Sequence, residues 1–239
     1  MPRTLRAAEA GMIYHVLNRG NGRSRIFHTA GDYQAFERVL AEALKRFPAI
    51  ELLAYCLMPN HWHLILHPRG DGDLPAFMGW LMVTHVRRHH QAHGTRGGGH
   101  LYQGRYKSFP IDTDDLHFLT VARYVEANAH RAKLVRRPRE WRWCSLHARL
   151  LGKNALVPLS DWPVDRPDDW ERAVGFDFSN ADLARLRTSV TRGRPFGRED
   201  WTRRVARRLG LSQTMNPPGR PRKHPLTPMP RRKGKKDNE

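Results

Sequence analysis

The run Tyr55-Cys56-Leu57-Met58-Pro59-Asn60-His61-Trp62-His63-Leu64-Ile65-Leu66 restricts the chain more than any other stretch. Two apolar segments flank Met58-Pro59-Asn60, and together they read as strand, turn, strand. Successive side chains on a strand point to opposite faces, so His61 and His63 share one face, about 7 Å apart. Trp62, Leu64 and Leu66 point the other way, toward a core. Two imidazoles at that spacing can grip one divalent ion. The spacing also suits two strand histidines hydrogen-bonded to neighbours, so the pair alone leaves both readings open.

The 239 residues give room for one ordinary domain with extensions, and 39% of them are hydrophobic, enough for a real core. The formal net charge is +19 and the pI about 11.0. Such a charge on a folding chain favours a polyanionic partner, nucleic acid first. An anionic membrane surface is set aside because no basic helix with a strong apolar face is present. The only cysteines, Cys56 and Cys144, lack paired spacing, which argues against a disulfide framework or zinc ribbon and fits a reducing cytoplasm. Glu9, His15 and Asn18 interrupt any leader-like apolar run. Leu52 to Met58 is far short of the roughly 20 residues that span a bilayer. A soluble, intracellular protein is expected.

Met12 to Arg19 reads as a first strand, stopped by Gly20-Asn21-Gly22. Arg19, Arg23 and Arg25 lie beside that turn, which suits either a phosphate contact or a plain surface hairpin. Thr29 is a helix cap with Asp32 as its capping-box partner, and Tyr33, Phe36, Val39, Leu40, Ala43, Leu44 and Phe47 repeat at helical spacing until Pro48. After the two histidine strands, Asp73 to His93 reads as a second helix ended at Gly94. His85, His89 and His93 line one face of it, read as a solvated or DNA-facing stripe. Leu101 to Ile111 is a fourth strand, with Arg105 and Lys107 on one face and Tyr102 and Tyr106 on the other. Basic residues beside aromatics suit a nucleic-acid surface. Thr113 caps a third helix, packed through Leu116, Leu119 and Val125, in which Thr120, Tyr124 and Asn128 share a face.

This order predicts an α+β fold: an antiparallel sheet with helices on one face. Trp141, Trp143 and Leu146 close the domain at about residue 150. Residues 151–215 form a small helical extension, with helices at Asp182–Val190 and Glu199–Leu209. Residues 216–239 hold six prolines and carry +6, a composition of disorder, and the other 215 residues keep +13. Within this tail, Arg220 sits in a Gly-Arg-Pro core followed by Arg222 and Lys223, a run that suits a narrow minor groove, or serves as a nonspecific basic arm.

A histidine pair is an incomplete metal shell. Asn128 offers a carbonyl oxygen, and Tyr124, one helical turn earlier, offers a phenolic oxygen. A metal on a phosphate stabilises transition-state charge, and a tyrosine attacking in line gives a phosphotyrosine. On spacing alone Tyr124 is equally a half-buried packing residue. Four segments add to this reading: Tyr14-His15-Val16-Leu17-Asn18-Arg19-Gly20, Met58-Pro59-Asn60-His61-Trp62-His63, Gly104-Arg105-Tyr106-Lys107-Ser108, and Tyr124 through Ala132. In order and spacing they resemble the single-tyrosine HUH transposases, and more narrowly the REP-associated tyrosine transposases of bacteria. The resemblance covers roughly residues 12–150 and implies a ferredoxin-like fold with a catalytic domain over residues 1–150. It implies Tyr124 as the nucleophile, His61, His63 and Asn128 as metal ligands, and Mg²⁺ or Mn²⁺ as cofactor. The implied partner is single-stranded DNA carrying a palindromic hairpin, bound by a monomer or homodimer in the bacterial cytoplasm, at the nucleoid. Arg19, Arg23, Arg105, Lys107, Arg131 and Lys133 are the DNA-contacting candidates of the folded part. The family often has Asn-Pro-Val-Arg-Ala where this chain has Asn128-Ala129-His130-Arg131-Ala132, which bears on where that helix ends. The histidine-rich Arg87 to His93 also departs from the aromatic residues expected there. Two other functions remain: a DNA-binding protein of the same fold that does not cut, and a metallonuclease that uses water.

Overall fold

The computed structural model describes residues 8–216. Strand β1 spans Ile13–Arg19, helix α1 Ala30–Arg46, β2 Ile50–Met58, β3 His61–Pro68, α2 Asp73–Ala92 and β4 Lys107–Ile111. The strands form one antiparallel sheet in the order β2-β3-β1-β4, the ferredoxin-like arrangement expected. Helices α3 (Asp115–Glu126) and α4 (Asn128–Arg131) follow, then α5 (Ser145–Leu151), α6 (Trp170–Gly175), α7 (Asn180–Arg192) and α8 (Glu199–Arg208). Among the described residues no helix is long and apolar enough to cross a membrane.

The helices do not all lie on one face. Tyr14, Val16, Leu57, Trp62, Leu64 and Leu66 pack with α1 and α2 in one core. Ile13, Cys56, Ile65, Phe109 and Ile111 pack with Phe118, Val121, Ala122 and Val125 of α3 in a second. The apolar alternation of β1 and β3 is apolar on both sides, so each face needs its own helical cover. A bulge between Leu52 and Ala54 lets β2 serve both cores. Ile50 and Leu52 face the first core before it, and Tyr55 and Leu57 do so after it. Without the extra residue, every later side chain of β2 would change faces.

Asp32 takes the backbone N–H groups of Thr29 and His28 at 2.8 Å each, so the α1 cap forms as predicted. The third helix is capped one residue later than predicted: Asp114, not Thr113, accepts the His117 N–H at 2.8 Å. Leu116, predicted to pack, is 71% exposed, and Phe118 is buried instead. The predicted strand from Leu101 is regular only from Lys107, and Tyr102 and Tyr106 are buried in the core, not displayed on a nucleic-acid surface. His85 is 4% exposed rather than solvated, with Nδ1 2.7 Å from the Tyr102 hydroxyl, and His93 Nε2 lies 2.8 Å from Asp32.

Later segments cover both sheet edges. The Leu57 N–H reaches the Trp143 carbonyl at 2.8 Å beside β2, and the Phe196 N–H reaches the Pro110 carbonyl at 2.9 Å beside β4. Covered edges do not template aggregation. A buried carboxylate joins three helices behind the sheet. Glu126 accepts from the Ser145 hydroxyl, and from Trp170 Nε1 at 2.6 Å. Burial pushes its pKa up, against the two hydrogen bonds that lower it. A raised carboxyl pKa favours the folded state at acid pH and withdraws that contribution as pH rises through the folded value. Glu126→Gln keeps an acceptor oxygen for Trp170 Nε1 and lets its amide donate to the Ser145 hydroxyl oxygen, without the charge. Its melting temperature at pH 7 is expected to equal or exceed that of the unaltered chain, and the fall above the normal carboxylate range should flatten. A pH series of thermal melts reads both.

Candidate active site on the tyrosine helix

The register of β3, β1 and β4 sets one end of the sheet. Arg19 pairs with His61, Leu17 with both His63 and Lys107, and His15 with Ile65 and Phe109. Directly paired residues share a face. Arg19, His61, His63, His15 and Lys107 therefore all lie on the side covered by α3. The turn into β3 is clamped from outside. The Pro59 carbonyl accepts from the N–H groups of Ile26 and Phe27 at 2.8 and 3.1 Å, and the Asn60 carbonyl accepts from the Gly20 N–H at 2.8 Å. A Cβ on Gly20 would stand 2.2 Å from the Ser24 carbonyl oxygen, so only glycine fits there.

Both strand histidines are aimed by a partner on Nδ1. His61 Nδ1 is 2.6 Å from Asn60 Oδ1, and the Asn60 amide is oriented by its own bond from Nδ2 to the Arg23 carbonyl at 3.0 Å. His63 Nδ1 is 2.8 Å from His15 Nε2. That leaves Nε2 free on each ring. Burial, with Arg19 adding to it, pushes His61 down to about 4. Burial, with His15, His61, Arg19 and Arg131 nearby, puts His63 well below the usual range. Both rings are neutral at pH 7 and carry a lone pair. The third predicted ligand, Asn128, is half-buried at the start of α4. Its Nδ2 lies 3.5 Å from the Tyr124 carbonyl, and among the described residues its Oδ1 has no hydrogen-bond partner. Two neutral imidazoles and a carbonyl oxygen are donors of the type a divalent ion accepts.

Tyr124 packs edge-on against this group. Its ring centroid is 5.9 Å from that of His63 and 6.3 Å from that of His15. The Arg131 guanidinium lies 4.7 Å from the Tyr124 ring. Phe178, from the segment before α7, closes the far side at 6.2 Å and is itself covered by Arg123 at 3.9 Å. Among the described residues no carboxylate pairs with Arg19 or Arg131. Helix α3 ends at Glu126, and a separate turn begins at Asn128. Tyr124 and Asn128 therefore straddle a break at Ala127 instead of sharing one continuous helix.

The other predicted contacts spread outward. Arg23 sits exposed in the turn after β1 with φ 63°, and Lys133 exposed after α4 with φ 57°. Arg105 is exposed in the loop ahead of β4, where the neighbouring Gly104 carbonyl accepts from Asn18 Nδ2 at 3.0 Å. Arg220, Arg222 and Lys223 lie outside the described residues. Two residues of the site escaped the sequence reading. His15 was readable in principle, since the parity of β1 fixes its face, but its partner depends on cross-strand register. Phe178 lies in a stretch without periodicity. A second cluster, Asp112, Asp114 and His117, sits at the far end of α3. Its carboxylates already face Arg198, at 3.7 and 3.5 Å.

Comparison with known proteins supplies the family. Residues 8–128 match the model of the IS200-like transposases. The chain resembles the structure of a REP-associated tyrosine transposase bound to a REP hairpin, at 19% identity and TM-score 0.52, over 70% of this chain and 95% of that one. It also resembles a protein from Deinococcus radiodurans R1 described as a transposase, at 20% identity and TM-score 0.38, over 52% of this chain and 96% of that one. No curated protein matches. At such identities the structural likeness is one of fold. The family match runs over half of the chain, from ahead of β1 to the start of α4, and on it the protein belongs to the IS200-like transposases, a family of DNA-cleaving transposition enzymes.

Proposed function

We propose that the protein is a metal-dependent endonuclease and strand-transferase. It cuts single-stranded DNA beside a palindromic hairpin and becomes joined to the DNA through Tyr124. The observation that carries this reading is the convergence on one face of Tyr124, the His61–His63 pair and Arg131, which has no carboxylate partner among the described residues. The REP-associated transposase of similar fold is bound to a REP hairpin, and a hairpin of that kind is the substrate class proposed here.

The chemistry follows from what the side chains can do. Arg131 and Arg19 offer positive charge to a phosphate brought to the tyrosine. The Tyr124 oxygen attacks the phosphorus and loses its proton. The bond from phosphorus to the 3′ oxygen breaks, and that oxygen leaves as a hydroxyl. A tyrosine–phosphate ester replaces the DNA ester, so a later attack by another 3′ hydroxyl can rejoin strands without an external energy source. Mg²⁺ or Mn²⁺ held by His61, His63 and Asn128 would polarise the phosphoryl oxygens. Phe178 and the buried aromatic edge exclude water that would otherwise compete with the tyrosine. All these residues come from one chain, so a monomer suffices. The cytoplasm and nucleoid are the setting in which such DNA would be met.

The test is a hairpin oligonucleotide labelled either 5′ or 3′ of the expected break, incubated with protein and Mn²⁺ and run on a denaturing gel. Label on the 3′ side should travel with the protein, and label on the 5′ side should be released. Cleavage with both labels free would assign the reaction to water. Retention on a native gel without cleavage would make the protein a binder only.

A further inference from the structure

We propose that His15 is a positioning residue that sets the tautomer of His63 and thereby keeps His63 Nε2 free to hold the metal ion. The inference rests on the reading of His61 and His63 as ligands.

His15 Nε2 and His63 Nδ1 are 2.8 Å apart, and the two rings are nearly coplanar, 15° between planes, with centroids 4.9 Å apart. Those distances describe an edge-to-edge hydrogen bond, not a face-to-face stack. Each neutral imidazole has one donor and one acceptor nitrogen, so the bond has two forms. With His63 donating from Nδ1, its Nε2 keeps a lone pair. With His15 donating, the His63 proton sits on Nε2 and that nitrogen cannot ligate. His61 has no such ambiguity, because Asn60 presents an oxygen to it.

Nothing else explains the imidazole at position 15. It is fully buried in the central strand, with Phe109 on one side at 4.8 Å between centroids. Among the described residues its other nitrogen, Nδ1, has no hydrogen-bond partner. A buried, unpaired polar group costs about 1–3 kcal/mol. A phenylalanine or leucine would fill the space without that cost, and neither would accept a proton from His63. The single polar contact of His15 is therefore the one that acts on His63. Partners that orient a ligating histidine typically change metal affinity about 10–100-fold when removed.

The test is Mn²⁺ binding to the full chain, followed by loss of the free-ion electron paramagnetic resonance signal. His15→Phe keeps the ring volume and removes the acceptor, and should weaken binding about 10–100-fold. His15→Gln places an acceptor oxygen near the lost Nε2 and should recover most of the loss. His61→Ala is the control for the ligand assignment. If the unaltered chain binds no Mn²⁺, or His61→Ala binds as well, the ligand reading itself falls. If that control behaves as expected and His15→Phe binds like the unaltered chain, only the role of His15 falls. Equal weakening in His15→Phe and His15→Gln would mean that ring packing matters and not the acceptor, and would overturn the inference. Nitrogen-15 spectra of the Mg²⁺-saturated unaltered chain give a reading that needs no variant. A proton on His63 Nδ1 is expected, and a proton on His63 Nε2 would overturn the proposal.

Discussion

In Tyr124→Phe the protein–DNA adduct is expected to vanish from the denaturing gel, with cleavage down at least ~10³-fold, the scale seen when a nucleophile is removed from an otherwise intact site. The phenyl ring still fills the space against His63 and Phe178 and still lies under Arg131. The fold and DNA retention on a native gel should therefore stay close to those of the unaltered chain. The contrast is the informative part. A variant that neither binds nor cuts would point to damage, and one that still forms the adduct would move the nucleophile to another tyrosine. Tyr14, Tyr33, Tyr55, Tyr102 and Tyr106 all pack in the other core, on the far side of the sheet from the histidine pair.

Trp62→Ala is expected to destabilise the protein by about 3–5 kcal/mol, the usual cost of emptying a buried aromatic site. Domain stabilities run about 5–15 kcal/mol, so this is a large share. Trp62 is fully buried and donates from Nε1 to the Tyr102 hydroxyl at 2.9 Å, and that hydroxyl lies 2.7 Å from His85 Nδ1. One indole thus ties β3, the loop before β4 and α2. Trp62→Phe keeps most of the volume and loses the hydrogen bond, and should cost roughly 1–2 kcal/mol. Urea denaturation measures both. A loss under about 1 kcal/mol in Trp62→Ala would show that this side chain does not fix the strand. The effect reaches the site because Trp62 lies between His61 and His63 and points the opposite way. Its burial holds the two imidazoles to the face of Tyr124.

What could be read in the sequence was what strand and helix periodicity control. The histidine hairpin, the Thr29–Asp32 cap and the helix ending at Gly94 need only local chemistry. The failures have nonlocal causes. The helix predicted from Thr113 begins one residue later because Asp114 wins the cap, and it packs on the sheet through Phe118, Val121, Ala122 and Val125, which leaves Leu116 outside. The stripe of His85, His89 and His93 looks polar, yet Tyr102 arrives from another segment to give His85 a buried partner. Helices on one face followed from the order of elements, but α3 belongs to the opposite face because β1 and β3 are apolar on both sides. Of the residues that meet at the candidate site, His61, His63 and Tyr124 could be named from their motifs. The His15 contact depends on how β1 pairs with β3, and Phe178 comes from a stretch with no pattern to read.

The sheet order also fixes when the site can exist. Strand β1 is synthesised first but lies between β3 and β4, and its partners arrive late, Ile13 meeting Ile111. Closing so long a loop is slow relative to local helix formation. A chain still on the ribosome, released only as far as β3, holds the histidine hairpin but lacks Phe109 beside His15, the tyrosine helix, and Phe178 beyond it. The topology thus withholds the proposed strand-cutting centre from the nascent chain until most of the protein has been made.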